Sequence, residues 1–480
     1  MSSELQMYDC RKFFINGEWH APAGRSEQDV INPATEQPVG KILLGTPEDV
    51  DAAVQAARKA FETFSQTSRA ERIELLEQVI AAYKRNAGRL AQAISAEMGA
   101  PLWLSEQAQV GLGLGHLQTA LDVLKRYEFE EQHGRTRLIR EPIGVCGLIT
   151  PWNWPLNQIG CKVAPALAVG CTVVLKPSEV APLSAHVFAE ILVEAGVPKG
   201  VFNLVDGEGP SVGEALARHP LIDMVSFTGS TRAGAQVAKA AADTVKRVSQ
   251  ELGGKSANII LDDADLTTAV TNGMRAMVLN SGQSCNAPAR MLVPEPMYER
   301  AVQIAKQVAE NVTIGDPQLP GIEMGPVANQ AQFGRIQALL EAGAKEGARV
   351  VTGGVGRPTG MERGYFVKPT VFADVDNRMS VAQQEIFGPV LVMIPYRTEA
   401  EAISIANDTV YGLSGYVQSA DLNRAMRVAA KLRTGMVHLN GAAYDIAAPF
   451  GGYKQSGNGR EWGSEGFKEF LEIKAVMAPA

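Results

Sequence analysis

Cys285 is the residue whose setting most favours nucleophilic chemistry. It lies in the polar turn Asn-Ser-Gly-Gln-Ser-Cys-Asn-Ala-Pro at positions 280–288. The apolar segment 266–279 before this turn predicts a buried helix, which Gly282 would end and Pro288 would keep from restarting early. Cys285 is therefore predicted to stand at the end of a rigid element, where a thiol can be aimed at a substrate. Taken alone, the segment also allows a small core side chain, which is what most free cysteines are.

Three other turns carry polar groups that could assist a nucleophile. Asn153 lies between two prolines in Thr-Pro-Trp-Asn-Trp-Pro, so its amide could donate to a developing oxyanion or satisfy the backbone of its own turn. Glu251 begins Glu-Leu-Gly-Gly-Lys at a predicted strand end, where it could be a general base or a solvated carboxylate. Glu385, in Gln-Glu-Ile-Phe-Gly-Pro, leaves the same two interpretations open.

Two strand-to-helix junctions have residue types that could bind a dinucleotide. In Phe-Thr-Gly-Ser-Thr-Arg-Ala-Gly, Gly229 permits a tight turn, and Ser230 can cap the helix and donate to a pyrophosphate. In Lys-Pro-Ser-Glu, Lys176 and Glu179 follow a buried strand and can both reach ribose hydroxyls. Neither junction has the spacing Gly-x-Gly-x-x-Gly, so a plain βα turn and a surface ion pair stay open as alternatives.

The segments that must position these groups alternate between strand and helix, which predicts an α/β fold with two doubly wound parallel sheets. The first sheet is predicted from an apolar run at 144–150 and strands at 172–177, 201–205, 224–228 and 245–252. The second set follows Cys285, with strands at 291–293, 349–351, 390–393 and 436–439. Cys285 is thus expected near the domain junction, where clefts tend to form.

The segments before position 144 are predicted to form a hairpin, long helices and a strand pair. Asn16-Gly17 is typical of a hairpin turn. Amphipathic helices are predicted at 49–64, 68–98 and 104–127, each of the first two opening with a capping signal. The polar segment 128–141 predicts a pair of strands that leaves the main body.

Composition argues against several classes of function. The chain of 480 residues has 45 Lys and Arg against 52 Asp and Glu, a formal net charge of −7, which argues against nucleic acid as a partner. Its 5 cysteines and 6 histidines have no metal-ligand spacing, so no metal is predicted. Scattered cysteines and an acidic N-terminus predict a cytoplasmic protein. No uncharged apolar run approaches the roughly 18 residues that a membrane span needs.

Together, these motifs resemble the aldehyde dehydrogenase superfamily in their order and spacing. The resemblance is carried by Pro-Trp-Asn, Lys-Pro-Ser-Glu, Phe-Thr-Gly-Ser, Glu-Leu-Gly-Gly-Lys, Gly-Gln-x-Cys, Glu-Ile-Phe-Gly-Pro and Pro-Phe-Gly-Gly-Tyr-Lys, and it extends from the hairpin to the last strand. It implies NAD-dependent oxidation of an aldehyde to the carboxylic acid. It also implies a NAD-binding domain at 1–122 and 143–253, a catalytic domain at 254–455, and a small β oligomerisation arm at 123–142 and 456–480.

The resemblance also implies a role for each reactive group. Cys285 would add to the aldehyde as a thiohemiacetal and would carry the thioester that remains after NAD takes the hydride. Asn153 and the Cys285 backbone N–H would form the oxyanion hole. Glu251 would activate the hydrolytic water, and Glu461 with Lys162 would relay protons.

Binding residues follow from the same resemblance. The implied NAD contacts are Ile149, Thr150, Pro151, Trp152, Lys176, Ser178, Glu179, Gly209, Gly213, Phe227, Thr228, Gly229, Ser230, Leu252, Glu385 and Phe387. The implied lining of the aldehyde tunnel is Trp154, Asn157, Cys161, Ser284, Tyr444 and Phe450. The Glu179 carboxylate would repel a 2′-phosphate, which predicts NAD in preference to NADP.

Assembly is implied as well. In relatives, a glutamate of the last strand pairs with one arginine of its own subunit and one of a neighbour's. The matching residues are Glu472, Arg247 and Arg460. A homo-oligomer is therefore predicted, either a dimer or a tetramer built as a dimer of dimers.

Two alternatives to a hydrolytic dehydrogenase differ from the pattern of this chain. CoA-acylating relatives usually lack the glutamate that Glu251 supplies here. Catalytically inactive structural relatives tend to lose active residues, whereas the nucleophile, oxyanion donor and base are all present. Cys161 stands where succinic semialdehyde dehydrogenases often carry an arginine, so the predicted substrate is a medium-sized, uncharged aliphatic or aromatic aldehyde.

Overall fold

The computed structural model describes residues 7–479 and places their strands in four sheets. In chain order the strands are β1 (Tyr8–Cys10), β2 (Phe13–Ile15), β3 (Glu18–His20), β4 (Ser26–Asn32), β5 (Gln37–Leu44), β6 (Glu130–His133), β7 (Thr136–Pro142), β8 (Val145–Ile149), β9 (Thr172–Lys176), β10 (Phe202–Leu204), β11 (Met224–Thr228), β12 (Arg247–Glu251), β13 (Ala257–Ile260), β14 (Arg290–Pro294), β15 (Arg349–Thr352), β16 (Thr370–Ala373), β17 (Val390–Tyr396), β18 (Ser414–Gln418), β19 (Met436–Leu439), β20 (Gly457–Asn458) and β21 (Leu471–Met477).

The helices cover the faces of the two larger sheets. They are α1 (Pro47–Phe64), α2 (Arg69–Arg85), α3 (Ala87–Met98), α4 (Leu102–Leu104), α5 (Val110–Arg126), α6 (Pro155–Val169), α7 (Leu183–Glu194), α8 (Glu214–Arg218), α9 (Thr231–Ala241), α10 (Leu266–Val278), α11 (Tyr298–Glu310), α12 (Gln330–Lys345), α13 (Ser380–Gln383), α14 (Glu399–Asn407), α15 (Leu422–Ala429) and α16 (Gly463–Lys468). Across residues 7–479, none of them combines the length and apolar character needed to cross a membrane.

The larger sheet has eight strands in the order β20-β12-β11-β8-β9-β10-β2-β3. Its five central strands, β12 to β10 in that order, are parallel, and its edges are antiparallel. Every residue of β8, β9 and β11 is buried, as expected for strands covered by helices on both faces. The predicted hairpin is β2–β3, and Asn16 and Gly17 have the positive φ values, 53° and 78°, that a tight hairpin turn requires.

The second sheet has seven strands in the order β15-β16-β17-β14-β13-β18-β19, and all except β15 are parallel. Cys285 lies between α10 and β14, so this sheet carries the nucleophile turn. The prediction of a second parallel set is confirmed, but it missed β13, β16 and β18. These strands have only four or five residues, and a short apolar run is a weak signal in sequence.

Two three-stranded sheets complete the described fold. The predicted strand pair at 128–141 forms β6 and β7, and β21 pairs antiparallel with β7. All of β6 and nearly all of β21 are exposed, so this sheet projects from the core. The other small sheet, β1-β5-β4, was not predicted.

Three predicted helices differ from the structure. In the segment 104–127, α5 begins only at Val110, and a π-helical turn, Ser105–Gln109, separates it from the short α4. The segment 68–98 forms α2 and α3 and not one helix, because Asn86 between them has φ −101° and ψ 7°. Helix α6 begins at Pro155 and not at Lys162, since proline suits the first helical position. Every residue of α6 is buried, which explains why no polar face marked its first turns in the sequence.

Candidate active site

Three consecutive residues with left-handed backbone conformation lie shortly before Cys285 in the chain. Helix α10 ends at Val278, and Asn280, Ser281 and Gly282 then have φ values of 53°, 56° and 72°. Glycine adopts this conformation readily, whereas each of the other two residues loses roughly 1–2 kcal/mol. The sequence predicted the glycine break and did not predict the strained pair before it.

Hydrogen bonds of buried side chains hold this strained turn. Asn280 Nδ2 donates to the Asn153 carbonyl at 2.9 Å, and Gln283 Nε2 donates to the Asn280 carbonyl at 3.0 Å. Ser281 Oγ and Gln283 Oε1 bond backbone groups of the segment 325–328 at 2.8 Å each. Breaking such a buried bond leaves an unsatisfied group at a cost of about 1–3 kcal/mol. The nucleophile turn therefore sits in a rigid frame.

Asn153 and Trp154 contact the nucleophile turn from the neighbouring sheet. Asn153 is 3% exposed, and its Nδ2 donates to the Gln283 carbonyl at 3.0 Å. Because an amide nitrogen has two N–H groups, one remains for a substrate oxygen beside Cys285. Trp154 Nε1 donates to Ser284 Oγ at 2.9 Å and so restrains the residue before the nucleophile.

Glu251, the last residue of β12, is a buried carboxylate without a protein partner. It is 2% exposed, and neither carboxylate oxygen has a hydrogen-bond partner among the described residues. Burial, and then the charge of nearby Glu461, raises the pKa of Glu251 well above its ordinary value. Its burial excludes a solvated strand end. A raised pKa and free oxygens are the properties of a general base.

A buried ion pair lies close to Glu251. Lys162 is fully buried; its Nζ contacts Glu461 Oε1 and donates to Thr228 Oγ1 at 2.7 Å. Burial alone lowers the pKa of Lys162, but Glu461, Cys161 and Glu251 together more than offset this, so the pKa of Lys162 is raised. The other oxygen of Glu461 accepts a hydrogen bond from Cys161 Sγ at 3.3 Å. A proton donor and a proton acceptor thus stand next to the free carboxylate.

Two glycines allow the Glu251 segment to close against the nucleophile turn. A Cβ atom on Gly254 would lie 2.3 Å from the Cys285 carbonyl oxygen, and one on Gly253 would lie 2.4 Å from Glu385 Oε2. Glu385 Oε1 accepts the Gly254 N–H at 2.9 Å. Burial raises the pKa of Glu385 to about 7. The Gly-Gly pair is therefore required for this approach.

Part of this constellation lines one cavity of about 180 Å³, whereas the predicted relay residues Lys162 and Glu461 are not among its lining residues. It brings together the predicted catalytic residues Cys285, Glu251 and Asn153. The predicted cofactor residues on it are Pro151, Trp152, Thr228, Gly229, Ser230, Leu252, Glu385 and Phe387. Gly253, Gln332 and Arg335 also line it, and the sequence did not predict them.

Gln332 and Arg335 belong to α12 and hold the turn that begins at Glu385. Arg335 Nη2 donates to the Glu385 carbonyl at 2.9 Å, and Gln332 Nε2 donates to the next two carbonyls of that turn at 2.9 and 2.8 Å. Phe387 in this turn has φ 58°, which is strained for a bulky residue, and its ring packs edge-on against Trp152 at 5.4 Å. Gln332 and Arg335 were not predicted, because nothing in the sequence distinguishes them from other polar residues of an amphipathic helix.

The remaining predicted cofactor residues lie at the carboxyl ends of β8, β9 and β11 and in the π-helical turn Gly209–Gly213 before α8. Lys176 is 3% exposed, and its Nζ donates to Glu179 Oε2 at 3.3 Å. A Cβ atom on Gly213 would lie 3.7 Å from Lys176 Cδ, so this glycine faces the lysine. Ser230 caps α9 by accepting the Ala233 N–H at 3.3 Å. The others are Ile149, Thr150, Ser178, Gly209 and Phe227.

The polar groups at the carboxyl ends of these parallel strands fit a dinucleotide. A helix N-terminus with a serine cap suits a pyrophosphate. A lysine and a carboxylate after β9 suit the hydroxyls of a ribose. A second carboxylate, Glu385, stands at the other end of the cavity beside Cys285. Among residues 7–479, no group of three or more His, Cys, Asp or Glu side chains is placed to hold a metal ion.

An apolar cluster adjoins Cys285 and contains two of the predicted tunnel residues. Its buried members are Cys161, Leu413, Phe450 and Trp462, and Cys285, Met436 and Ile446 pack against them. Cys161 and Phe450 were predicted tunnel residues. Ile446 belongs to the loop 443–446, which the resemblance also implies at the tunnel. The sequence missed Leu413, Met436 and Trp462 because they come from separate segments without a shared local motif.

Two other predicted tunnel residues make polar contacts. Asn157 Oδ1 lies 2.7 Å from His116 Nε2. Tyr444 OH accepts a hydrogen bond from Asn286 Nδ2 at 2.8 Å and lies 3.2 Å from Tyr416 OH. Hydrogen-bonding groups therefore stand among apolar walls.

The fold and this constellation define a class of protein, and comparison with known sequences agrees. The model of the aldehyde dehydrogenase family matches residues 19–476. The chain belongs to the aldehyde dehydrogenase family. The predicted family and the α/β fold class are therefore confirmed, as is the enzyme class of oxidoreductases that act on aldehydes.

Individual relatives resemble nearly the whole chain. The 3-succinoylsemialdehyde-pyridine dehydrogenase of a Pseudomonas species is 60% identical over 472 residues, which cover 98% of this chain and 99% of the relative. The crystal structure of aldehyde dehydrogenase C from Pseudomonas syringae, a cysteine-to-alanine mutant with NAD+ and octanal, is 53% identical, with a TM-score of 0.97 and 98% of each chain covered. The NAD+ complex of a Mycobacterium tuberculosis aldehyde dehydrogenase is 40% identical, with a TM-score of 0.96 and 99% of each chain covered.

Proposed function

We propose that this chain oxidises an uncharged aldehyde to the carboxylic acid with NAD, and that Cys285 is the nucleophile. The observation that carries the proposal is one cavity that holds Cys285, the unpartnered Glu251 carboxylate and the Asn153 amide beside the cofactor residues. Family membership supports the reaction class. The NAD+ complexes of two related structures support the cofactor.

In the first half of the reaction, the Cys285 thiol adds to the aldehyde carbonyl and forms a thiohemiacetal. Burial, followed by the charges of Glu385 and Glu251, raises the pKa of this thiol, so it needs a base to take its proton. Glu251 can accept that proton. The free N–H of Asn153 and the Cys285 backbone N–H stabilise the oxyanion, and one such donor contributes about 3–4 kcal/mol.

Bound NAD supplies the hydride acceptor of this reaction. Ser230 at the N-terminus of α9 would hold the pyrophosphate, and Lys176 and Glu179 would hold the adenosine ribose. Glu385 would hold the nicotinamide ribose, with Phe387 packed close to it. Since Glu179 would meet a 2′-phosphate with its own negative charge, the site favours NAD over NADP.

In the second half of the reaction, water hydrolyses the thioester on Cys285. Both oxygens of Glu251 are free of protein hydrogen bonds, so this carboxylate can take a proton from the attacking water. A positioned general base contributes about 10²–10⁴-fold to the rate. The Lys162–Glu461 pair beside Glu251 then offers a buried route for the proton.

The proposed substrate is a medium-sized uncharged aldehyde. The apolar cluster next to Cys285 suits an apolar tail, and the buried Lys162 is already paired with Glu461. The Pseudomonas relative is named for 3-succinoylsemialdehyde-pyridine, and the Pseudomonas syringae structure holds octanal. Both names support an aldehyde whose remainder is largely apolar.

We also propose the domain division and the assembly that the sequence predicts. The NAD-binding domain comprises 1–122 and 143–253, the catalytic domain 254–455, and the oligomerisation arm 123–142 and 456–480. Exposed Ile473, Val476 and Met477 on the edge strand β21 support a homo-oligomer, either a dimer or a tetramer. Within the chain, Arg247 Nη2 donates to Glu472 Oε1 at 2.6 Å. Light scattering that shows a monomer would contradict this assembly.

We propose a cytoplasmic, reducing location for the protein. All five cysteines are free thiols. Disulfides are rare in reducing compartments, and this chain relies on none.

Cys285→Ala tests the proposed function. The variant should form no NADH with octanal, because the nucleophile is missing. Cys10→Ala, which changes a buried thiol in another core region, should retain turnover. NADH formation by Cys285→Ala at the rate of the unmodified enzyme would contradict the mechanism.

A further inference from the structure

Asn157 has a polar group on the aldehyde side that the proposed reaction does not use. Its side chain is mostly buried, with the residue 6% exposed, and its Oδ1 is bonded to His116 Nε2 at 2.7 Å. Its Nδ2 has no hydrogen-bond partner among residues 7–479 and is not one of the fully enclosed polar atoms. The free N–H₂ group is therefore open to whatever occupies the adjoining space, and a ligand there can accept its hydrogen bond.

The position of Asn157 on α6 places it along the aldehyde tunnel. Residues four apart on a helix share one face, so Asn157 lies on the same face of α6 as Cys161, and Trp154 is the residue just before this helix begins. Trp154 bonds Ser284, the residue before Cys285. Cys161 belongs to the apolar cluster against which Cys285 packs. The helix face that carries Asn157 therefore runs beside the reacting thiol.

His116 determines which end of the Asn157 amide is free. Burial lowers the pKa of His116 to about 4, so the ring is neutral near pH 7. With its proton on Nε2, the ring donates to Asn157 Oδ1 and leaves only an acceptor, Nδ1, without a partner. The other tautomer would leave its Nδ1–H donor without a partner among residues 7–479, which native proteins avoid more strictly than an unused acceptor. Trp462, 5.1 Å away between ring centroids, packs against the imidazole.

We propose that Asn157 donates a hydrogen bond to a second, uncharged oxygen of the substrate, remote from the reacting aldehyde. The preferred substrate class is then an oxo-substituted aldehyde with an apolar or aromatic remainder. This inference rests on the proposed aldehyde oxidation. An anionic group is disfavoured in the same place, since Lys162 is paired and Glu251 and Glu461 are both acidic. The remainder of the substrate fits the apolar cluster.

The experiment compares aldehydes that differ by one carbonyl oxygen. The first pair is 4-oxo-4-phenylbutanal and 4-phenylbutanal, and the second pair is 5-oxo-5-phenylpentanal and 5-phenylpentanal, which moves the oxygen one carbon further. In the unmodified enzyme, kcat/KM should favour the oxo member of at least one pair by about five- to tenfold, as expected for one neutral hydrogen bond. Octanal serves as the control for aldehyde oxidation itself.

Two variants test whether the preference for the oxo-aldehyde depends on the Asn157 amide. Asn157→Leu keeps the number and branching of the side-chain heavy atoms and removes the donor, so the ratio within the pair should fall to near one. Turnover of the phenylalkanal in the same preparation shows that the variant is folded. His116→Leu leaves the donor but frees the amide to rotate, so the ratio should be intermediate. His116 is thus a positioning residue, and the ratio reports its effect where a general loss of activity would not.

The outcomes separate this inference from the proposed function. Equal kcat/KM within both pairs in the unmodified enzyme, or a preference that persists in Asn157→Leu, would overturn the role of Asn157 while octanal oxidation left the proposed function standing. No NADH formation with octanal or with any of the four aldehydes would overturn the proposed function and this inference with it.

Discussion

The turn that carries Cys285 and the pocket that carries Glu251 meet in one cavity but differ in how their polar groups are satisfied. In the turn, Asn280 Nδ2, Ser281 Oγ and both ends of the Gln283 amide have hydrogen-bond partners, and among the buried side-chain atoms of these three residues Asn280 Oδ1 alone has none within the described part of the chain. In the pocket, neither oxygen of Glu251 has one among the described residues. A nucleophile needs a fixed position, whereas a general base needs room for the water and the thiol whose protons it takes.

The two regions also store free energy in different forms. The turn contains backbone strain at Asn280 and Ser281, which the surrounding hydrogen bonds hold in place. The pocket contains desolvated charge, of which the Lys162–Glu461 pair is compensated and Glu251 is not. Substitutions in the two regions should therefore impair the enzyme in different ways. Those in the turn should displace the Cys285 thiol, and those in the pocket should change the protonation of Glu251.

Glu251→Gln should have the largest effect on turnover. It keeps the shape of the side chain and removes the base, so kcat should fall by about 10²–10⁴-fold. If thiol addition survives, rapid mixing with NAD and aldehyde should give a burst of NADH near one per active site and then a slow steady rate. If Glu251→Gln turned over normally, another group would have to be the base, and Glu461 would be the first candidate. Formation of acyl-CoA by the unmodified enzyme, with faster turnover when CoA is added, would contradict hydrolysis.

Lys162→Met should destabilise the protein more than any single change at the surface. It leaves Glu461 buried without its partner, which costs about 3–5 kcal/mol of unfolding free energy. The double variant Lys162→Met with Glu461→Gln removes both charges and should recover much of that loss. Denaturant unfolding of the single and double variants measures the difference. A single variant as stable as the unmodified protein would show that the pocket is not sealed from water.

Asn153→Ala should lower both activity and stability, because Asn153 lines the cavity and also bonds the nucleophile turn. Loss of the oxyanion donor should lower kcat by about 10²–10³-fold. The Gln283 carbonyl also loses its shorter hydrogen bond and keeps only the one from Asn280 Nδ2 at 3.4 Å, which should reduce the unfolding free energy by about 0.5–1.5 kcal/mol. Steady-state kinetics and denaturant unfolding on one preparation test both effects. Turnover within a few-fold of the unmodified enzyme would place the oxyanion donor elsewhere.

The pH dependence of kcat should show the smallest but most specific effect. Glu251 acts as a base only when it is deprotonated, and its pKa is raised by burial and by Glu461. The rate should therefore fall as the pH drops through that raised pKa, by roughly tenfold per unit well below it. The residual rate of Glu251→Gln should lack this limb of the pH–rate profile. An unchanged profile in the variant would assign the titration to another group, such as Glu385.

Local sequence patterns were sufficient for the elements and for the groups at their ends. The Asn16-Gly17 turn, the alternation of strands and helices, and the break after α10 follow from periodicity and from the special conformations of glycine and proline. The positions of Cys285, Asn153 and Glu251 at the ends of such elements could be predicted in the same way. Short strands such as β13 and β18 could not, because four or five residues carry too little periodic signal.

The sequence by itself determined the α/β class, the family resemblance and the motif residues that the structure brings to one cavity. Only the tertiary structure decided that Glu251 has no hydrogen-bond partner among residues 7–479, that His116 bonds to Asn157, and that Trp462 belongs to the apolar cluster against which Cys285 packs. Motifs are local because a strand end or a helix cap needs neighbouring residues. Burial, pKa and tunnel shape depend on contacts between segments hundreds of residues apart, such as the one between Cys161 and Glu461, and these exist only after the chain has folded.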